Sequence, residues 1–150
     1  MPNSENAATG SAPVVRTILV VEDNVLNMKL FSAMLSSQGY VVLEATDGPG
    51  GLSMAQQHLP DLIIMDIQLP GMSGMDVTKN LKGSESTQHI PIIATTAFAL
   101  RGDKEKILES GCDAYMAKPI AITEFLALVE SFLTAARSAS AQPVPAVGAA

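Results

Sequence analysis

Apolar and polar positions follow two different periods along residues 16–135. TILVV (17–21), DLIIMD (61–66), PIIATT (91–96) and AYMA (114–117) are short apolar runs of strand length. Pro91 stands at the first strand position, where the missing N–H is tolerated. VVLEAT (41–46) is a further run, and Glu44 within it points to a place near a sheet edge. Helical spacing fills the gaps. Leu30, Phe31, Met34 and Leu35 repeat at that spacing across 25–38, and Gly39 supplies a stop. DGPGGLSMAQQHL (47–59) is a weaker helix with Pro49 in its first turn. Ser73 and Asp76 have the Ser-x-x-Asp spacing that caps a brief helix near 74–82. A helix from about 101 to 110 runs up to Gly111. Ile122, Phe125, Leu126, Val129, Phe132 and Leu133 form the clearest amphipathic stripe of the chain.

Strand followed by helix, five times over, predicts an α/β fold: a (βα)5, doubly wound, five-stranded parallel sheet covered on both faces. Residues 1–15 read as a disordered leader and 136–150, ARSASAQPVPAVGAA, as a disordered tail. The span between them is one domain, and the chain past 135 is too short for an output module. A Met1 start and the trailing end favour a complete protein.

Composition narrows the field. Aromatic residues are only 4%, so Ile, Leu, Val, Met and Ala must build the core. Nine basic residues against fifteen acidic give a net charge of -6, with no cationic cluster to meet nucleic-acid phosphates. A single cysteine, Cys112, excludes an intrachain disulfide and reads as a small buried residue. The N-terminus lacks a signal-peptide pattern, and no apolar run reaches the roughly 18 residues that span a bilayer. The expectation is a soluble cytoplasmic protein without membrane insertion. His58 and His89 lie beside expected loops with no second ligand at metal-binding spacing.

In an open parallel sheet, chemistry gathers beyond the carboxyl ends of the strands. There the sequence places Glu22 and Asp23, Asp66, Thr95 and Thr96, and Lys118 followed by Pro119. Three close carboxylates repel one another, and a divalent cation with Lys118 balances them formally. Oxygen ligands with open water positions suit Mg2+, which works alongside phosphate. A carboxylate is also a nucleophile that forms an aspartyl-phosphate. Lys118 and the Thr96 hydroxyl are placed to hold phosphoryl oxygens. Each residue has a plainer reading as well: the acids cap the next helix, both threonines suit a strand, and a lysine suits a surface.

VVEDN, IIMDIQLPGMSG, ATTA and AKP, in this order and spacing, closely resemble the receiver domain of two-component response regulators, over about residues 16–135. EDNVLNMKLF, MDIQLP, TAFA and KPI look most like the DivK-type single-domain regulators. The resemblance implies strand order 2-1-3-4-5 and a phosphoryl group accepted on Asp66. Mg2+ would be held by Glu22, Asp23, Asp66 and the backbone carbonyl of Gln68. Thr96 and Lys118 would bind the phosphoryl oxygens, Thr96 and Tyr115 would act as a switch pair, and the Lys118–Pro119 bond would be cis. Gln68 and Phe98 would modulate the phosphoryl lifetime, and Phe98 offers no hydrogen bond to orient water, so self-hydrolysis should be slow. The partners implied are a sensor histidine kinase or a histidine phosphotransfer protein. A downstream protein would be met through helix 4, strand 5 and helix 5. Apart from its own phosphotransfer and dephosphorylation, such a protein is no enzyme.

Rival readings stand on single features. A haloacid-dehalogenase-type phosphatase also uses a strand-end Asp, but it expects a second Asp where Gln68 stands, and a cap insertion. A pseudo-receiver scaffold has no need of Glu22, Asp23, Asp66, Thr96 and Lys118 together. A flavodoxin-type carrier needs hydroxyls and glycines in the first turn, where EDN stands.

Overall fold

The computed structural model describes residues 15–97 and 101–141, with side chains described over 15–97 and 104–134. Five strands alternate with five helices: β1 (Thr17–Val21), α1 (Val25–Ser37), β2 (Val41–Ala45), α2 (Gly48–His58), β3 (Leu62–Asp66), α3 (Gly74–Lys82), β4 (Ile92–Thr96), α4 (Arg101–Glu109), β5 (Ala114–Ala117) and α5 (Ile122–Ala141). All strand pairs are parallel, in the order β2-β1-β3-β4-β5. The switch in winding direction therefore falls between β1 and β3, beside Asp66.

Side chains alternate across the sheet with the two-residue strand period. Leu19, Val21, Ile63, Met65, Ile92 and Ala94 pack with Ala55 of α2, Val77 and Leu81 of α3 and Ile107 of α4. Ile18, Val20, Leu62, Ile64 and Ile93 pack on the other face with Phe31 and Leu35 of α1 and Phe125 and Val129 of α5. The Phe31 and Phe125 rings meet at 5.3 Å, tilted by 54°. β3 and β4 are buried along their whole length, whereas β2 exposes Val41 and Glu44 as an edge strand does. At the amino ends of the strands, Lys82 reaches the Ile90 carbonyl at 2.7 Å and Asp113 at 3.0 Å, and Asp113 also accepts from the Ile92 N–H.

Caps explain the helix starts. Asn24 Oδ1 accepts from the Asn27 N–H at 2.9 Å, Asp47 Oδ1 from Gly50 at 2.7 Å, and Ser73 Oγ from Met75 at 3.0 Å. A Cβ on Gly51 would stand 2.7 Å from Val21 Cγ2, so this glycine lets α2 lie close against β1.

Two sequence expectations change. Leu30 is exposed on α1, and Met28 takes the core place beside Phe31, Met34 and Leu35. α5 runs to Ala141, beyond the expected boundary at 135. Residues 136–141, ARSASA, contain no helix breaker, and Pro143 is the first that follows. Phe98 lies outside the described residues.

Candidate functional site

The sheet brings its strand ends together on one rim. β1 hands Glu22 to that rim, its N–H fixed on the Ala45 carbonyl at 3.0 Å. Parallel pairing sets Asp66 of β3 beside Thr95 of β4. Beyond β5, the Lys118 N–H donates to the Thr96 carbonyl at 2.8 Å, and the Lys118–Pro119 peptide is cis.

Lys118 bridges two acids. Its Nζ stands 3.0 Å from Glu22 Oε1 and 3.3 Å from Asp66 Oδ2. Glu22 is 1% exposed and Asp66 2% exposed, so both carboxylates are held out of water and depend on donors. The Asn24 N–H donates to Glu22 Oε2 at 3.1 Å, and the Gln68 N–H donates to Asp66 Oδ1 at 3.0 Å. Asp23 is exposed at the mouth. One oxygen each from Glu22, Asp23 and Asp66 lies within 4.8 Å of the other two, a spacing at which one cation reaches all three.

Burial pushes the Asp66 carboxyl above its ordinary range. The Gln68 N–H pulls it down, nearby Glu22 pushes it up again, and Lys118 opposes that rise. A second positive charge in the mouth would favour the ionised form, in which a carboxylate can act as a nucleophile.

Thr96 is buried at the end of β4, and Thr95 beside it is fully buried. Tyr115 is half-buried on β5 against the α2–α4 side of the core, with Lys104 Nζ of α4 5.7 Å from its ring centroid. Cys112 is buried, its Sγ donating to the Ile107 carbonyl at 3.1 Å, while His58 and His89 are exposed away from the rim. Gln68 does more than its place in the sequence suggests: its side-chain Oε1 accepts from the Ala97 N–H at 2.9 Å. Neither that bond nor the buried Thr95 hydroxyl is signalled by residue type, because both follow from where the chain leaves the sheet. On α1, Val25, Leu26 and Leu30 are exposed apolar residues, and Leu30, Phe31 and Asn27 line a small cavity of about 100 Å³ with Lys118, Pro119 and Ile120.

Residues 18–130 match the family described as response regulator receiver domain. The chain is 48% identical over 120 residues to the polar-differentiation response regulator DivK of Brucella ovis, covering 80% of this chain and 98% of that one. The receiver domain of the sensor histidine kinase PA1611 of Pseudomonas aeruginosa, solved with a magnesium ion coordinated in its active-site cleft, is 36% identical. It superposes with a TM-score of 0.76 over 81% of this chain and 99% of that one. The chemotaxis response regulator CheY4 of Vibrio cholerae is 26% identical, with a TM-score of 0.75 over 80% of this chain and all of that one.

Proposed function

Because the chain belongs to the response regulator receiver family of two-component systems, we propose that it is a single-domain regulator phosphorylated on Asp66. The donor is a phosphohistidine on a histidine kinase or a histidine phosphotransfer protein, and the output is a change in protein–protein contacts. One observation carries the reading: a buried, strand-end carboxylate shares one ammonium with a second buried acid, and a third acid lies within 4.8 Å.

In the transfer, an Asp66 oxygen attacks phosphorus as the P–N bond to the donor imidazole breaks. The electron pair leaves with the imidazole nitrogen. Lys118 neutralises phosphoryl oxygen charge, as its 3.3 Å approach to Asp66 Oδ2 supports. The Glu22, Asp23 and Asp66 carboxylates fit Mg2+, a hard cation that takes oxygen ligands, and the Gln68 carbonyl would join them as the family resemblance implies. When bound, it supplies charge stabilisation of the phosphoryl oxygens and brings the acids together without repulsion. The donor protein approaches across α1, where Val25, Leu26 and Leu30 are exposed.

Phosphorylation adds about -1.5 to -2 charges at pH 7. Thr96 engages the new group, Tyr115 follows, and the α4–β5–α5 surface changes its preferred partner by a population shift. The Lys104–Tyr115 contact lies on that surface. A cytoplasmic place suits this role, and among the described residues no helix is long and apolar enough to cross a membrane.

The test is incorporation of label from a phosphorylated histidine kinase, compared between wild type and Asp66→Asn, with and without EDTA. Label on wild type alone, lost with EDTA, is the expected result. Label retained by Asp66→Asn at that position, or indifference to EDTA, overturns it.

A further inference from the structure

We propose that the Gln68 side chain is a displaceable latch on the phosphorylation site. Its amide oxygen occupies, in the unphosphorylated chain, the Ala97 N–H for which an arriving phosphoryl group competes. The proposal rests on Asp66 being the phosphoacceptor.

The β3–β4 ladder shows why that N–H is available. The Ile67 N–H donates to the Thr95 carbonyl at 3.0 Å, which is the last regular rung. In a parallel ladder, the next rung would carry the Ala97 N–H to the Ile67 carbonyl. That carbonyl instead accepts from the Gly74 N–H at 3.0 Å, because the chain has turned into the start of α3. Ala97 is left one rung beyond the sheet, with its N–H on the β3 side. Gln68 Oε1 fills the gap at 2.9 Å.

The same residue is tied to Asp66 through its main chain, since the Gln68 N–H donates to Asp66 Oδ1 at 3.0 Å. One residue therefore connects the reacting carboxylate to the end of β4. Asp66 pairs in register with Thr95, so the Ala97 N–H stands one rung past Asp66 on the same side of β4. Among the N–H donors there, the Gln68 N–H and the Lys118 ammonium already face Asp66, and the Ala97 N–H is spent on a neutral amide. A charged acceptor binds a given donor roughly twice as strongly as a neutral one. Phosphoryl oxygen therefore wins the Ala97 N–H, but it must first release Gln68. The latch lowers the affinity of the site for a phosphoryl group, and its release frees the Gln68 side chain in the phosphorylated chain alone. Ala97 also directly follows Thr96, so releasing the latch frees the segment that the switch has to move.

The plainer reading is a loop staple that adds stability and nothing else. Beryllofluoride with Mg2+, a phosphoryl mimic that binds without covalent chemistry, separates the two. Binding to 15N-labelled full-length chain is measured by NMR for wild type, Gln68→Met (equal length, no amide oxygen) and Gln68→Asn (amide retained, one methylene too short). The expected result is tighter beryllofluoride binding by both variants, by about three- to ten-fold, the equivalent of one neutral hydrogen bond no longer in competition. In wild type, saturation should shift both the Ala97 amide and the Gln68 side-chain NH2 signals. In Gln68→Met the Ala97 amide should already be displaced before the mimic is added.

An unchanged or weaker affinity in the variants, with wild-type binding intact, overturns the latch and leaves the staple. Gln68 NH2 signals that do not move on saturation overturn it too. A wild type without Mg2+-dependent binding, or binding that survives Asp66→Asn, overturns the phosphoacceptor reading and the latch with it.

Discussion

Lys118 and Glu22 are 96 positions apart in the chain, yet their Nζ and Oε1 atoms stand 3.0 Å apart, closer than Lys118 stands to Asp66 at 3.3 Å. The ammonium therefore serves Glu22 at least as closely as Asp66, the proposed phosphoacceptor. Glu22 is 1% exposed and needs this partner. A phosphoryl group on Asp66 and a cation beside Glu22 would together release Lys118 for the phosphoryl oxygens.

Replacing Lys118 by Met leaves two buried carboxylates without their shared donor. Breaking charge-assisted bonds of this kind costs roughly 1–3 kcal/mol. Thermal melts in EDTA should show that loss, and added Mg2+ should recover part of it by supplying positive charge. Phosphorylation by acetyl phosphate should slow by about 10²-fold, the usual effect of removing one donor from a developing anion. A variant that melts and phosphorylates like wild type would leave Lys118 a surface residue.

Mg2+ should raise the melting temperature of wild type, since a ligand that binds only the folded chain stabilises it by about 2.7 kcal/mol at a hundred times its dissociation constant. Glu22→Gln and Asp23→Asn each remove one of the three clustered carboxylates. Each should lose most of that gain. Calorimetry at matched ionic strength separates binding from screening, and an equal response to Na+ at that ionic strength would count against a Mg2+ site.

Without metal, Asp66 burdens the fold. Burial raises its carboxyl above the ordinary value of 3.8. Between that value and the raised one, the folded chain keeps the proton and the unfolded chain has lost it, so stability falls as pH rises through the window. Above the window the cost is present in full. Asp66→Asn removes it, so in EDTA the variant should melt above wild type at neutral pH. The gap should close as the pH is lowered to about 4. A gap that stays constant with pH would mean the gain does not come from this carboxyl.

Much of this was legible before the structure. The strand-end residues could be read because a parallel (βα)5 order sends every strand's carboxyl end to one rim. Strand apolar runs of four to six residues are then hard to mistake. The α1 face could not be phased, because apolar residues surround it: Met28, Phe31, Met34 and Leu35 turn inward, while Val25, Leu26 and Leu30 do not. Only α5 packing on the same sheet face decides between those sets. The Gln68–Ala97 bond was out of reach for another reason. It depends on the Gly74 N–H taking the Ile67 carbonyl, and a glycine in the turn-rich QLPGMSG stretch does not say which carbonyl its N–H will meet.

Gly74 ties that turn to Asp66. A Cβ here would collide with the Asp66 carbonyl oxygen and crowd Ile67 Cα, both main-chain atoms that cannot swing aside. Gly74→Ala should therefore destabilise the chain by about 1–3 kcal/mol and move the Asp66 and Gln68 amide signals in NMR spectra. Gly71, with nothing within 4 Å of a Cβ but a φ of +80°, is the control: its Ala variant should strain only the loop and leave the Asp66 signal in place.

Thr95 offers the reverse, a substitution that stabilises. It pairs in register with Asp66 and is fully buried, and among the described residues its Oγ1 is a buried side-chain atom with no hydrogen-bond partner. An unsatisfied buried hydroxyl costs about 1–3 kcal/mol, whereas a methyl of the same shape costs nothing of the kind. The backbone of Thr95 already serves the sheet through its bond from the Ile67 N–H, and Val would keep that bond. Thr95→Val should therefore gain about 1 kcal/mol, or a melting temperature about 2–5 °C higher for a domain of this size. The Mg2+-induced rise should stay as in wild type, since Thr95 contributes no ligand to the carboxylate cluster. A lower melting temperature would show instead that a bound water satisfies this hydroxyl in solution, and so extends the polar site from Asp66 to its neighbour on β4.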